Sequence, residues 1–398
     1  MKYRWVIFFS MLGGLLLYTG RQAERFLPAH PVLAWTFTVG LFFLMFVWQF
    51  LARSGTSRID SRAFRAFAWA GSIALGIWAT FILFWLPFDL GKEIFSLARA
   101  LMSTRYEDFL RSIHLANWIP AGLFILSMGL AGLGLEEALT GPRVVEVSLP
   151  IQNLPPELRG LKIAHITDLH IGPMIRQGYV DQVVEKVLAL QPDLIAFTGD
   201  LADGTSDVLA AQVQPLARLK APLGVYFVTG NHEYYWGAEE WLEKARALGF
   251  TTLVNENRVV TRAGIKILVA GVTDLHAEHF LPEHRSDRRK AVASPEPTAF
   301  KLLLAHRPTN YVEAEPLGFA LQLSGHTHGG QFFPFSLLIP FFYKYYRGLN
   351  RYKDMWLYVN PGTGYWGPPH RFLVPAEITL LRLTSPLIEG AKDVRKDG

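Results

Sequence analysis

Two textures of hydrophobicity divide this 398-residue chain. In the first third, apolar residues run almost without a break in four segments, 5–19, 31–51, 67–90 and 118–135. The second and third reach the roughly 20 residues that span a bilayer core. The second carries no charge, the third meets Asp89 only at its end, and Trp and Tyr stand near several ends as an interfacial belt places them. The pattern predicts an α-helical membrane unit of about four transmembrane helices over residues 1–142. The first segment is short and follows Lys2 and Arg4, like a signal peptide, but no small-x-small site precedes Arg21 and further spans follow. An uncleaved helix is therefore expected.

From Arg143 onward, short apolar runs of strand length alternate with helical ones. "LKIAHIT", "DLIAFT", "GVYFVT", "IKILVAGV", "KLLLAH" and "ALQLSG" predict strands, while "VDQVVEKVLAL" and "EEWLEKARALG" predict helices. Buried strands that end in polar turns indicate an α/β domain with its chemistry at the strand ends. This domain is expected over 143–388, followed by a frayed tail, 389–398.

Charge and cysteine usage narrow the classes. The net charge is +5, and residues 1–142 hold 12 Lys/Arg against 8 Asp/Glu, so the basic excess belongs to the apolar third. No basic cluster marks the second domain, and no nucleic-acid partner is expected. With no cysteine, disulfides, thiolate metal sites and cysteine nucleophiles are excluded. Arg53, Arg58, Arg62 and Arg65 crowd the second loop more densely than Lys92, Arg99, Arg105 and Arg111 spread over the third. The positive-inside rule then puts the N-terminus and the second domain in the cytoplasm. In the third loop Ile94, Leu97, Ala98 and Leu101 recur at helical spacing, which fits an in-plane amphipathic helix or one packed on the spans.

Polar residues cluster where the predicted strands end. Asp168 and His170 follow the first; Asp200 follows the next; Asn231, His232 and Glu233 follow the third; His306 ends "LLLAH"; His326 and His328 end "LQLSGHTH". Residues i and i+2 at a strand end point the same way, so Asp168/His170 and His326/His328 can each approach one site. Asp168, Asp200, Asn231 and the histidines 170, 306, 326 and 328 form an oxygen/nitrogen set suited to Mn, Fe or Zn. Seven ligands exceed the needs of one ion, whereas a bridging carboxylate makes the count work for two. Two divalent ions about 3.5–4 Å apart would clamp a phosphoryl oxygen and supply hydroxide for in-line attack.

The motifs "DLHIG", "GDLADG", "GNHE", "AHRP" and "GHTHGGQ" resemble the calcineurin-like metallophosphoesterase superfamily, specifically its membrane-associated bacterial subgroup, over about residues 145–385. The resemblance implies a β-sandwich of mixed sheets flanked by helices, and an integral protein of a bacterial inner membrane. It implies one metal held by Asp168, His170, Asp200 and His328, and a second held by Asp200, Asn231, His306 and His326. His232 would be the catalytic histidine, bonding to phosphate or protonating the leaving oxygen. Glu233 would orient it or be a plain loop carboxylate. The text "GDLADGT" and "FVTGNHEYY" lacks the two arginines by which the protein phosphatases clamp phosphate, which disfavours that activity. Arg307 and Arg371 are candidates for the substrate phosphate, or solvated surface arginines. Asp203 is expected in a turn or cap, and His165, His276, His279, His284 and His370 in structural or surface positions.

The run "FFPFSLLIPFF" directly follows two of these ligands. Its residues, Phe341 and Phe342 among them, are expected either at the pocket mouth against acyl chains and bilayer, or packed under the domain. Three functions follow. The first is a membrane-anchored phosphodiesterase or pyrophosphatase on a lipid-linked substrate; some similar bacterial proteins act on a UDP-linked diacylated glucosamine. The second is the same chemistry on a soluble diester or nucleotide. The third, an inactive scaffold or sensor, predicts lost ligands, and none of the seven is lost.

Overall fold

The computed structural model describes residues 2–53, 61–101, 119–294 and 296–386. It divides into two compact units, Met1–Ala131 with Gly367–Pro369, and Gly132–Trp366 with His370–Gly398. The tail and most of the third loop lie outside the described residues; the helical pattern expected in that loop continues the preceding helix as far as Leu101.

The first unit holds helices α1 (Lys2–Phe26), α2 (Pro31–Arg53), α3 (Arg62–Leu101) and the first part of α4 (Ile119–Thr140). Among the described residues, Pro31–Gln49, Arg62–Phe95 and Ile119–Thr140 are long and apolar enough to cross a membrane. The first predicted segment does form a helix, α1. However, it carries Arg21, Gln22, Glu24 and Arg25 in its last turns and is not among the three. Those turns are used for polar contacts instead: Tyr18 Oη and Gln22 Nε2 donate to Asp89 of α3 at 3.2 and 3.1 Å.

In the second unit twelve strands form two six-stranded mixed sheets. In one the order is β1 (Arg143–Pro150), β12 (Glu377–Thr384), β2 (Lys162–Ile166), β3 (Leu194–Phe197), β4 (Val225–Phe227) and β5 (Thr251–Thr252). In the other it is β10 (Gly348–Tyr352), β11 (Met355–Val359), β9 (Leu321–Ser324), β8 (Phe300–Leu304), β7 (Ile265–Gly271) and β6 (Glu256–Arg262). Strands β2 to β5 run parallel, as do β7, β8, β9 and β11.

Strand periodicity sorts the side chains into three layers. Leu194 and Ala196 of β3 face Ile267 and Val269 of β7 in the core between the sheets, with Leu302 and Leu323. Their neighbours Ile195 and Phe197 turn outward to helix α5 (Gln177–Ala189), whose Val180, Val183, Val184 and Val187 recur at i, i+3, i+4 and i+7. Leu268 and Ala270 turn outward on the other sheet against Ala291 and Ala314. Both faces of each sheet are thus covered, which is why these strands read as unbroken apolar runs. The parallel direction brings the C-terminal ends of β2, β3, β4, β8 and β9 to one edge of the sandwich.

His165 of β2 is fully buried, with Nε2 2.8 Å from Thr198 Oγ1. Burial, against the pull of Asp168, lowers its pKa from 6.5 to about 3. The unfolded chain therefore takes up a proton that the folded protein refuses. This group's contribution to stability is whole above pH 6.5 and drains away as pH falls toward 3. His165→Gln is expected to flatten the dependence of unfolding free energy on pH in the range of about 4 to 6 by ~1.4 kcal/mol per pH unit. Unfolding of the full-length protein in detergent measures this, and an unchanged slope would refute it.

Candidate metal centre

The strand-end loops are tied to one another by main-chain bonds. Asp168 N–H donates to Gly199 O at 2.9 Å and His170 N–H to Asp200 O at 3.2 Å, joining the loops after β2 and β3. Gly325 N–H donates to His306 O at 2.9 Å, joining those after β8 and β9. His326 N–H then donates to both Asp168 oxygens at 3.1 and 3.0 Å, which links the two sheets. Two glycines make this closeness possible. A Cβ on Gly230 would collide with Asp200 Oδ1, and one on Gly325 with Asp168 Oδ2.

The backbone in these loops is unusual. Asp168, His170, Asp200, His326 and His328 all have left-handed φ, between 50° and 70°. Such conformations are uncommon outside glycine and cost about 1–3 kcal/mol each, so five on predicted ligands mark a functional constraint.

Their side chains converge. His328 Nε2 lies 3.4 Å from Asp168 Oδ1 and 3.1 Å from His170 Nε2. His306 Nε2 lies 3.2 Å from Asp200 Oδ2 and 3.1 Å from His326 Nδ1. Asp200 Oδ2 is also 3.8 Å from His170 Nε2, so one oxygen stands between the two groups. Asp168/His170/His328 and Asp200/His306/His326 each bring their donor atoms close enough for a common cation; His170/Asp200/His232 does so as well. Asn231 Oδ1 accepts from Arg307 Nη2 at 3.2 Å beside the second group.

The protonation pattern fits cation binding. Burial opposes charge on Asp168 and Asp200, yet the surrounding histidines hold both carboxyls well below the usual range. Burial lowers His328 to about 4 despite Asp168, and burial together with Arg307 lowers His326, so both rings are neutral. His306 is raised to about 10, because Asp200 outweighs its burial. Holding a cation through His306 Nε2 requires a neutral ring, so uptake and loss of that proton are linked. His306 Nδ1 donates to Thr198 O at 2.7 Å and His170 Nδ1 faces Asp203 Oδ1 at 3.2 Å, arrangements that direct each Nε2 inward. Acidic oxygens with oriented imidazoles suit divalent ions.

Several residues take positions that sequence reasoning missed. Asp203 sits in neither a plain turn nor a cap: its Oδ1 meets His232 Nδ1 at 2.5 Å as well as His170 Nδ1. Asp200 and Asp203 outweigh burial and raise His232 to about 9, leaving it a cation. Glu233 does not orient His232. Its carboxylate accepts from the N–H groups of Gly230, Asp200 and Leu201, holding the loop that carries Asp200. Asp274, after β7, accepts from Arg307 Nε at 2.7 Å. A signal for Asp274 was present: "TDLH" occurs after both β2 and β7. Tyr343 Oη lies 3.1 Å from His326 Nε2.

The candidate substrate residues separate. Arg307 stays at the site, with Nη1 2.8 Å from His326 Nε2. Arg371 is fully buried beneath it; its five N–H groups face the carbonyls of His328, Pro361, Gly362 and Gly364 and the ring of His328. It is neither a surface arginine nor open to a substrate phosphate. In the apolar run, Phe332 and Ile339 are buried, whereas Phe341 and Phe342 are 83% and 74% exposed. Of His165, His276, His279, His284 and His370, the first and the last two are buried, and none of the five joins the three groups.

Two substitutions test these roles. Arg371→Ala strands several buried carbonyls and is expected to cost about 3 kcal/mol or more of stability; unchanged thermal unfolding would return Arg371 to a substrate role. Asp203→Asn loosens His170 and His232 together and is expected to weaken metal affinity about 10- to 100-fold. Metal titration checks this, and wild-type affinity would contradict it.

The calcineurin-like phosphoesterase profile matches residues 161–330. The transmembrane protein with metallophosphoesterase domain of Danio rerio is 36% identical over 263 residues, covering 64% of this chain and 60% of that protein, so the chain spans less than two thirds of its length. An uncharacterized metallophosphoesterase of Helicobacter pylori is 37% identical over 283 residues, covering 69% of this chain and 74% of its own. Another, from Campylobacter jejuni, is 30% identical over 348 residues, covering 86% and 89%. The chain belongs to the calcineurin-like metallophosphoesterase family.

Proposed function

We propose that this protein is a membrane-anchored phosphoesterase that hydrolyses a phosphodiester or pyrophosphate bond with two divalent ions. The observation that carries the reading is Asp200 Oδ2, which stands between two groups of donors, all buried but the half-buried His326. Asp168, His170, Asp200 and His328 would hold one ion, and Asp200, Asn231, His306 and His326 the other. When bound, the ions supply Lewis acidity toward the phosphoryl group and lower the pKa of water. The chain's own residues do the rest. His232, kept protonated by Asp200 and Asp203, is positioned to give a proton to the leaving oxygen. Arg307, aimed by Asp274, presents its guanidinium beside both Asn231 and His326, where a phosphoryl oxygen would meet it.

A lipid-linked substrate is favoured by the apolar run. Phe341 and Phe342 are exposed, and the next residue, Tyr343, touches His326. Aromatic and aliphatic side chains open to solvent one residue from a metal site make a lip for acyl chains. The domain also begins only two residues after a helix apolar enough to span a membrane. We place it on the cytoplasmic side of a bacterial inner membrane. It shares a side with the loop bearing Arg53, Arg58, Arg62 and Arg65 whether or not α1 crosses.

The test uses full-length protein in detergent with Mn or Zn, bis-p-nitrophenyl phosphate as soluble diester, and a lipid pyrophosphate in vesicles. Asp200→Ala is expected to lower turnover of both by more than about 100-fold; retained activity would remove the two-ion reading. Phe341→Asp with Phe342→Asp is expected to lower the ratio of lipid to soluble turnover about tenfold, and an unchanged ratio would leave the soluble substrate as the better reading.

A further inference from the structure

The helix that leads into the second domain does not stop at its surface. Residues 132–140 of α4 belong to the second unit. Ala138 is fully buried in the core that also holds Val180 and Val184 of α5, and Lys186 Nζ of α5 donates to Pro142 O at 2.7 Å. One turn earlier, Gly134 O accepts from Arg371 N–H at 2.9 Å.

Glycine is required at 134 for packing. Gly122, Gly129 and Gly132 of the same helix have nothing where a Cβ would stand, whereas at Gly134 that place is taken by Nδ1, Cε1 and Cγ of His370. The ring is itself confined: His370 is 1% exposed and stacks on buried Phe332, with centroids 4.3 Å apart and planes 11° from parallel. Both neighbours of Gly134 lead on to the ligand loop. Phe332 directly follows the "GHTHGGQ" turn, and Phe333 N–H donates to Phe372 O at 3.0 Å. Arg371 Nη1 donates to His328 O at 3.3 Å, and Nη2 lies 3.1 Å from His328 Nδ1, the ring nitrogen turned away from Asp168 and His170. His370 and Arg371 thus hold the helix on one side and the turn that carries His326 and His328 on the other.

We propose that Gly134 is a positioning residue for the metal centre: the end of α4 sets His370 and Arg371, and these set His328 and its turn. This rests on the reading above that Asp168, His170, Asp200 and His328 hold one of two ions. Close-packed interiors pass displacements on, and groups behind a ligand control its affinity for metal. The helix that anchors the domain is therefore part of the framework of the metal site, and a methyl group added at 134 reaches an ion it does not touch.

The experiment titrates Mn(II) into metal-free full-length protein in detergent by calorimetry, with thermal unfolding recorded for every variant. Gly132→Ala is expected to take up two ions with affinities within about twofold of wild type. Gly134→Ala is expected to keep one ion and to bind the other about 10- to 100-fold more weakly. A lower unfolding temperature with both affinities unchanged shows packing alone and overturns the proposal. In the His370→Ala background, the added effect of Gly134→Ala is expected to fall below about twofold, because the ring that relays it is gone; an undiminished effect overturns the relay. Added to His328→Ala, which removes a ligand of the affected ion, Gly134→Ala is expected to change the remaining affinity by less than about twofold. A further tenfold loss there overturns the assignment to His328. If Gly134→Ala does not unfold cooperatively, His370→Ala decides: binding of one ion about tenfold weaker supports the proposal, and unchanged binding refutes it. A wild type that takes up one ion rejects the two-ion reading; the proposal then stands if Gly134→Ala weakens that ion about tenfold or more and fails if it does not. No uptake by wild type rejects both.

Discussion

A carboxylate kept ionised where water barely reaches is the constraint around which this domain is built. Asp200 is almost fully buried, and burial alone would favour its neutral form. The surroundings reverse that preference. His232 N–H donates to Oδ1 at 2.8 Å and His306 stands 3.2 Å from Oδ2. Glu233 grips the main chain on either side, and Gly230 leaves room for the carboxylate to approach. Each of these partners comes from another strand end, so the ionised state of one residue depends on two sheets meeting at the same edge.

That dependence explains the division of labour among charged groups nearby. Asp168, Asp200 and Asp203 remain anionic, His326 and His328 are neutral and His232 is cationic. Acids and bases of identical intrinsic chemistry are driven apart by burial and by which neighbour each one faces. Asp203 is instructive because it touches no predicted metal position itself. By holding Nδ1 of both His170 and His232 it couples a candidate ligand to the candidate acid. Arg371 does the comparable work for the main chain, binding the loops after β9 and β11 from below.

The exposed lip beside the site follows from the same loops. The "GHTHGGQ" turn runs on into the apolar run, whose buried members Phe332 and Ile339 anchor it while Phe341 and Phe342 stay outside. Gln331 of the same turn reaches to Trp366 on another loop. One segment thus carries two candidate ligands, leaves Phe341 and Phe342 exposed and holds the main chain of Trp366.

Much of this was legible in the linear chain because it is written in local periodicity and short motifs. Unbroken apolar runs announced buried strands and long helices, and polar clusters after the runs marked the strand ends and seven candidate donors, since hydrophobic period and turn chemistry are local properties. The sequence did not separate α1, whose polar last turns meet Asp89 of α3, from the other apolar segments. Nor did it distinguish Arg307 from Arg371, each placed beside a motif and differing only in what folds over it. The roles of Asp203 and Glu233 were likewise invisible, and Asp274 showed itself only as the second occurrence of "TDLH". By itself the sequence determined which residues could do metal chemistry and roughly where chain direction would deliver them. Tertiary structure alone decided which of them meet, which ring nitrogen faces inward and which charge survives burial, because those outcomes depend on distances of a few ångströms between strands far apart in the chain.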